Sequence, residues 1–539
     1  MAFIRGRAGF EYDSLLEKGK LESKMIMIAG TSSTGKTTLA EKTIECLRNK
    51  RYIGIALTDV QDELEAAYTM LPATDKEQLR LLKIQGEKPE GFPTLIYSPF
   101  SVVGVKDEIK KSKGRGYKGK LPKTNFFTIS IKSLKRAAIE YLCETVESKG
   151  TINLFLNAID SLKDNEGFEE LKNLIKIKAR TKKKKYYGKE IGSDDAVGDK
   201  KDAMTILNAL SIFNRDHILM PANYKYNLDI KDILKDKNHY HVFTYKYLNK
   251  DEKLRNFMVF HILSEIDRYT DYAVRPVVIL IDEVKKLAPY KAQGAKRILA
   301  AELGDTLDRI RKSGRGFTII LCTTRYTKTD ETVRDACRTT YFFGLSIDDL
   351  DKMKKIRGYT KNIGDTITRL NTGEYIHYGY EHKKIKSKVP RSGHKMTYLK
   401  FNEVYAKFFP EQMTDYSEMV SEVSDFIKNK RHEMQLKLKL DVEKEKKEIR
   451  KDVKQKLKAS EKTEKLKEFE EGEKNKKVED KDKRNKLIFE IYEKLKLGNK
   501  KASYRNIAEE LESMGYKVSY VTVSNVLKER KDDLMTGQN

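Results

Sequence analysis

A chain of 539 residues with 39% hydrophobic content has room for roughly two to four domains with real cores. Its net charge of +27 points to a polyanionic partner, nucleic acid first, or else to a lysine-rich composition that serves solubility. The four cysteines form no Cys-x-x-Cys pair, the eight histidines lack ligand spacing, and no apolar run approaches the ~20 residues of a membrane span. Disulfide scaffold, zinc module and spanning protein are thereby set aside. With no signal-peptide core at the N-terminus, the expectation is a soluble cytoplasmic protein.

The first element is a short apolar run, Met25 to Ala29, followed by GTSSTGKTT and a helix-forming stretch. Gly30, Gly35, Lys36 and Thr37 match G-x-x-x-x-G-K-S/T, with Thr31, Ser32, Ser33 and Thr34 inside the loop and Thr38 after it. Backbone N–H groups of such a loop surround phosphates, and the helix N-terminus adds positive potential. The motif predicts ATP as ligand, with Lys36 on the β/γ-phosphates and the Thr37 hydroxyl on Mg²⁺. The competing reading is an ordinary Gly/Ser-rich turn before a helix.

RYIGIALTDVQDEL (51–64) reads as a second strand ending in Asp59, Asp62 and Glu63, and TLIYSPFS (94–101) as a third. A Gly-rich basic loop covers Lys106 to Lys120, and 125–146 reads as strand then helix. Residues 150–215 read as a helical insert containing the run Lys182 to Lys185. Another strand precedes 248. Residues 252–270 then form a helix with an apolar stripe of Leu254, Phe257, Met258, Ile262 and Ile266.

Val277 to Ile281 is an uninterrupted apolar run, as in a strand buried on both faces, and Asp282 and Glu283 follow it. Ligands bind at that end of strands in an open parallel sheet. Asp282 is predicted in the Mg²⁺ shell, and Glu283 as the base that orients and deprotonates the attacking water. A helix around 295–312 and strands at 317–324, 339–346 and 373–380 complete the core, the last taken as its final strand. Strands alternating with helices predict an α/β fold with a mainly parallel sheet.

From about 430 the chain is almost wholly Lys and Glu, which predicts a solvated helical arm over 401–483. The tail, 484–539, is predicted as an all-α helix-turn-helix domain, with Ser503 and Ser519 as N-caps and Gly515 as a stop. Ile507, Leu511, Val521 and Val526 are its expected core. Tyr520, Thr522, Ser524, Asn525 and Lys528 are its expected DNA-reading face. A three-helix protein-interaction module is the alternative.

The ordered series of motifs over 25–380 resembles the HerA/FtsK-type ATPases, P-loop translocases that pump double-stranded DNA through a hexameric ring. The carriers are GTSSTGKTT, TDVQDEL, RPVVILIDEVKKLAP, LDRIRKSGRGFTIILCTTR and LNTGEYIHYG, with a helical insert between Lys36 and Asp282. The resemblance implies a RecA/ASCE-type P-loop domain over 1–400, the substrate ATP with Mg²⁺, double-stranded DNA as partner and a hexameric homo-oligomer. The family's sensor strand usually ends in Gln. Here the stretch is Cys322-Thr323-Thr324-Arg325, which puts Thr324 in that role. The family also supplies an arginine to the neighbouring subunit. Arg309, Arg311 and Arg315 are the candidates, Arg311 and Arg315 foremost, with Arg334 and Arg338 as further ones.

The expected function is ATP-driven DNA translocation in viral genome packaging or plasmid movement. An ATP-gated replication initiator or transcription regulator without motor activity is the alternative. A conjugation coupling protein, a third reading, is disfavoured because those usually carry membrane helices.

Overall fold

The structure, a computed structural model, describes residues 25–49, 51–57, 76–143, 149–179, 200–216, 218–248, 252–337, 339–353, 361–378, 409–436, 476–497 and 503–536, with a few short pieces between them. It divides into a body, Met1–Gln435, and a second unit, Leu436–Asn539. Among the described residues no helix is long and apolar enough to cross a membrane.

Among the described residues the body is built on one sheet of ten strands. In chain order they are β1 (Met25–Ala29), β2 (Ile53–Leu57), β3 (Thr94–Pro99), β4 (Asn125–Phe127), β5 (Tyr240–Phe243), β6 (Val277–Ile281), β7 (Thr318–Thr323), β8 (Thr339–Phe342), β9 (Glu374–Tyr378) and β10 (Lys383–Lys386). Their order across the sheet is β10-β9-β8-β1-β7-β6-β2-β5-β3-β4. The neighbours from β8 to β4 pair in parallel, and β9 and β10 add an antiparallel edge. The core therefore has one strand beyond 373–380. This strand reads KKIK, a charged edge of the kind that discourages pairing with other chains.

Central strands bury both faces, so period-2 alternation divides their side chains between two cores. Met25, Met27, Ile279, Ile281, Ile319 and Leu321 face one cluster. Ile26, Ile28, Val278, Leu280, Ile320 and Cys322 face the other, together with Leu39 and Ile44 of helix α1 (Lys36–Asn49).

Two elements differ from expectation. The basic stretch after β3 is mostly helix α2 (Val102–Gly114). Ser101 caps it by accepting from Gly104 N at 3.0 Å, and Val102, Val105 and Ile109 are buried at helical spacing. These outweigh the lysines. The Gly-rich tip with exposed Arg115, Lys118 and Lys120 follows α2 and precedes β4. Because β4 runs parallel to β3, that tip lies at the amino ends of the strands.

The insert forms helices α3 (Lys149–Asp160), α4 (Phe168–Lys178) and α5 (Lys200–Asp216), which share the first cluster through Phe155, Ile175 and Phe213. Of the run Lys182 to Lys185, the last two residues lie in a hairpin, Lys184–Tyr186 with Lys189–Ile191, and the first two fall outside the described residues. Helix α6 (Glu252–Arg268) buries the predicted stripe and also Asn256, Val259, Phe260 and Leu263. Burial therefore extends round the helix beyond that stripe, and within the stripe Phe257 meets Phe213 of α5 edge-on, ring centroids 5.1 Å apart.

The body runs on into the span expected as an arm. Met413–Thr414 pairs with Leu121–Pro122, and the Tyr416 hydroxyl both donates to Thr124 O at 3.0 Å and accepts from Thr124 N at 2.6 Å. Val420 and Val423, on the helix over 417–436, join Phe100, Val105 and Phe126 in a third core.

The second unit contains α8 (Lys476–Leu497), α9 (Tyr504–Ser513) and α10 (Tyr520–Thr536). Ser503 caps α9 by accepting from Asn506 N, and Ser519 caps α10 by accepting from Thr522 N, each at 3.2 Å. Gly515 takes φ +92°, as a helix stop requires. Ile488, Ile491, Ile507, Leu511, Val523 and Val526 form the core. Val521, expected there, is 49% exposed. With α10 beginning at Tyr520, positions 523 and 526 share the inner face, and 521 falls two residues off it.

Candidate nucleotide site

The loop Gly30–Gly35 connects β1 to α1 at the centre of the sheet. Gly30 N donates to Thr323 O at 3.2 Å, Gly373 N donates to Thr34 O at 2.9 Å, and Thr31 donates its N–H and its hydroxyl to Gly344 O at 2.8 and 3.1 Å. Three later segments thus hold the loop. Gly35 has φ +107°, and a Cβ there would come within 3.1 Å of Gly373 Cα. A Cβ on Gly30 would lie 2.6 Å from Phe343 Cβ. Neither position accepts a side chain without moving backbone or core. Ser32 and Ser33 are exposed on the loop, and Thr37 and Thr38 lie half-buried in the first turn of α1. That turn carries N–H groups with no intrahelical acceptor, which makes it an anion site.

Lys36 is 8% exposed, and its Nζ donates to Thr31 O at 2.7 Å. Burial pulls the pKa of this ammonium down, and the Glu283 and Asp282 carboxylates oppose the shift. The Cys322 thiol is pushed up by its own burial and stays neutral beside the lysine. The loop lysine and the acidic pair, far apart in sequence, therefore act on one another electrostatically.

The strand order brings this about. β6, which ends at the acidic pair, is separated from β1 by β7 alone. With about 4.8 Å between neighbouring strands, β1 and β6 stand roughly 10 Å apart. Asp282 N still continues the ladder, donating to Leu57 O at 3.1 Å. Glu283 then leaves it with φ 50° and ψ 47°, a left-handed conformation that costs a non-glycine residue about 1–2 kcal/mol. A 3₁₀ turn, Val284–Lys286, follows with Val284 buried, and Asn256 Nδ2 clasps it by donating to Lys286 O at 3.1 Å.

Thr324, just past the end of β7, donates its hydroxyl to Glu283 Oε2 at 3.1 Å. Lys285 Nζ donates to the Thr324 hydroxyl and stands 3.4 Å from the same carboxylate oxygen. Lys285 has no place in the motif pattern. Only the reversal at Glu283 turns it back into the site, and a basic residue two positions after a Glu gives no such signal. The Thr37 hydroxyl and the Asp282 carboxylate are hard oxygen donors of the type Mg²⁺ takes, so the residues present fit that ion.

Other predicted residues lie elsewhere. Arg309 and Arg311, in the last turn of α7 (Ala295–Lys312), and Arg315 precede β7, at the amino ends of the strands and so opposite the loop. Each is paired within its own chain: Arg309 with Asp267 at 3.0 Å, Arg311 Nε with Asp308 at 3.2 Å and Arg315 with Asp271 at 3.1 Å. None joins the nucleotide site of its own chain. Arg334 packs over the Tyr326 ring, 5.2 Å from its centroid. Arg338, Asp59, Asp62 and Glu63 fall outside the described residues.

In the second unit, Tyr520, Asn525 and Lys528 are exposed on α10. Ser524 is half-buried. The Thr522 hydroxyl is 3.0 Å from the Ser519 hydroxyl, so it belongs in part to the cap.

Replacing Lys36 by Ala tests the motif's assignment of this lysine to the phosphates. Hydrogen bonds to charged groups are worth about 1.5–3 kcal/mol, so ATP affinity should fall roughly 10- to 150-fold. Titration with a fluorescent ATP analogue measures this, and an unchanged affinity would remove Lys36 from the site.

Residues 258–345 match the model of the ATPase family associated with various cellular activities (AAA). No curated protein matches the chain. Among solved structures the chain is similar to VirB4 of Thermoanaerobacter pseudethanolicus, at 12% identity over 71% of this chain and 93% of that one, TM-score 0.43. It is also similar to the plasmid coupling protein TrwB in complex with a non-hydrolysable ATP analogue, at 13% identity over 73% and 96%, TM-score 0.44. A third is the genome packaging NTPase B204 from Sulfolobus turreted icosahedral virus 2 in complex with ATP-gammaS, at 16% identity over 30% and 72%, TM-score 0.22.

Proposed function

We propose that this chain, an ATP-hydrolysing enzyme of the P-loop fold, is a HerA/FtsK-type motor that moves double-stranded DNA. The observation that carries the reading is the position of β7. It lies between the phosphate-loop strand and the acidic strand and delivers Thr324 to Glu283. The motif series gives Thr324 the role of the family's sensor residue, and this contact sets it beside the candidate base.

In this reading the loop Gly30–Thr38 holds the phosphates of ATP, with Thr37 and Asp282 as the protein ligands of Mg²⁺. That ion would draw charge from the phosphate oxygens. Glu283 accepts the proton of the attacking water, and Thr324 fixes the carboxylate that receives it. Copies of the chain assemble as a ring, with Arg311 or Arg315 of one copy as the candidate to complete the site of the next. The charge of +27 supplies sequence-independent grip on phosphates. The three-helix unit, acting as a helix-turn-helix, addresses the motor to DNA through Tyr520, Asn525 and Lys528, with Thr522 and Ser524 at its margin. Genome packaging or plasmid movement would need such an address.

The test is ATP turnover against the length of added duplex, together with the mass of the protein in ATP. The expected outcome is turnover that rises several-fold with long duplex, and an ATP-dependent ring. Turnover indifferent to DNA, with DNA binding that still responds to ATP, would instead favour an ATP-gated regulator without motor activity.

A further inference from the structure

Lys285 occupies a place that the motif reading leaves unexplained. Its ammonium closes a triangle with the Thr324 hydroxyl and the Glu283 carboxylate. The lysine side chain is 27% exposed and the glutamate 14%, so Lys285 stands on the solvent side of the base. An ordinary surface lysine extends its ammonium into water. Here the left-handed turn at Glu283 and the buried Val284 bring it back.

Two consequences follow from charge. Lys285 and Lys36 are close enough that the positive charge of Lys285 disfavours that of Lys36. An anion bound between two such ammonium groups relieves their repulsion, and the terminal phosphate of a nucleoside triphosphate is such an anion. Second, the Glu283 oxygen that accepts from Thr324 and faces Lys285 is occupied by those contacts, so a water cannot take the same place on it.

We propose that Lys285 is a second phosphate-binding lysine: its ammonium passes from the Glu283–Thr324 pair to the terminal phosphate of the bound triphosphate. The same movement grips the triphosphate and uncovers Glu283 for the attacking water. A diphosphate lacks the group that draws Lys285 away, so the contact discriminates ATP from ADP. This inference rests on the reading of Lys36, Asp282 and Glu283 as the nucleotide site.

The experiment measures the affinity of the full chain for ADP and for a non-hydrolysable ATP analogue, both with Mg²⁺, by titration calorimetry. Wild type, Lys285→Ala, Lys285→Arg and Lys36→Ala are compared. Lys285→Ala should keep ADP affinity within about twofold and lose about tenfold on the triphosphate analogue, roughly 1.4 kcal/mol. Lys285→Arg, which keeps the cation, should retain most of the preference. Equal losses on both nucleotides would make Lys285 a support of the turn, and unchanged affinities would make it a bystander. Either result overturns the proposal while Lys36→Ala still loses both ligands. If Lys36→Ala binds both like wild type, the nucleotide-site reading itself has failed.

Discussion

Glu283→Gln should bind ATP like the wild type and turn it over about 10²- to 10⁴-fold more slowly. The substitution keeps the size of the side chain and an oxygen that can accept from Thr324, whose hydroxyl lies 3.1 Å away. It removes the lone pair that takes a proton from water, and general-base catalysis contributes a factor of that order. Binding should persist because the phosphate contacts come from the loop, Lys36 and, in the triphosphate complex, Lys285, all of which the change leaves in place. It also replaces a carboxylate that favours the charged form of Lys36, so the lysine loses some support but keeps its Thr31 contact. Single-turnover hydrolysis alongside equilibrium binding measures both quantities. Turnover near the wild-type rate would exclude Glu283 as the base.

Leu511→Ala should unfold the second unit while leaving ATP turnover intact. Leu511 is fully buried on α9 against Ile488 and Ile491 of α8 and Val523 and Val526 of α10. Truncating a buried Leu costs about 2–5 kcal/mol, the loss of transfer energy plus the cavity left behind. A unit this small has little stability to lose. Amide exchange along α9 and α10 in the full chain should accelerate by roughly 30- to several-thousand-fold. The body is a separate compact unit with its own cores, so its exchange and its ATPase rate should not change. Any sequence preference for DNA should be lost with the unit, which a binding-site selection would read. Val521→Ala is the control: at 49% exposure it should shift stability by no more than about 0.5 kcal/mol. Loss of ATPase activity in Leu511→Ala would make the unit part of the motor.

The sequence carried the local features because their causes are local. Val277 to Ile281 could only be a strand buried on both faces, and all of it is buried. The phosphate loop was legible because its glycines answer backbone needs. Gly35 has a positive φ, and Gly30 lies against Phe343. Caps at Ser503 and Ser519 were legible for a similar reason: a hydroxyl just before a helical pattern satisfies N–H groups that the helix cannot. The misreadings share one cause. The lysines that decorate the exposed side of α2 hide its helical pattern, and nothing local in α6 announces that Asn256, Val259, Phe260 and Leu263 are buried besides its apolar stripe.

The tertiary structure alone decided how these pieces become a site. Residues 25–37 and 277–283 carry the motifs read as phosphate-binding and water-activating, and no folding information is needed to see them. Their neighbourhood depends on β7, which comes later in the chain than both and inserts between them. Strand order is set by which helices and inserts can cover each face, a non-local balance that no window of residues contains. The same holds for Lys285, whose ammonium reaches Thr324 because the chain reverses at Glu283. It holds also for Tyr416, which binds Thr124 although 292 residues separate them in the chain. Residue type and spacing determine which groups are present, and packing determines which of them meet.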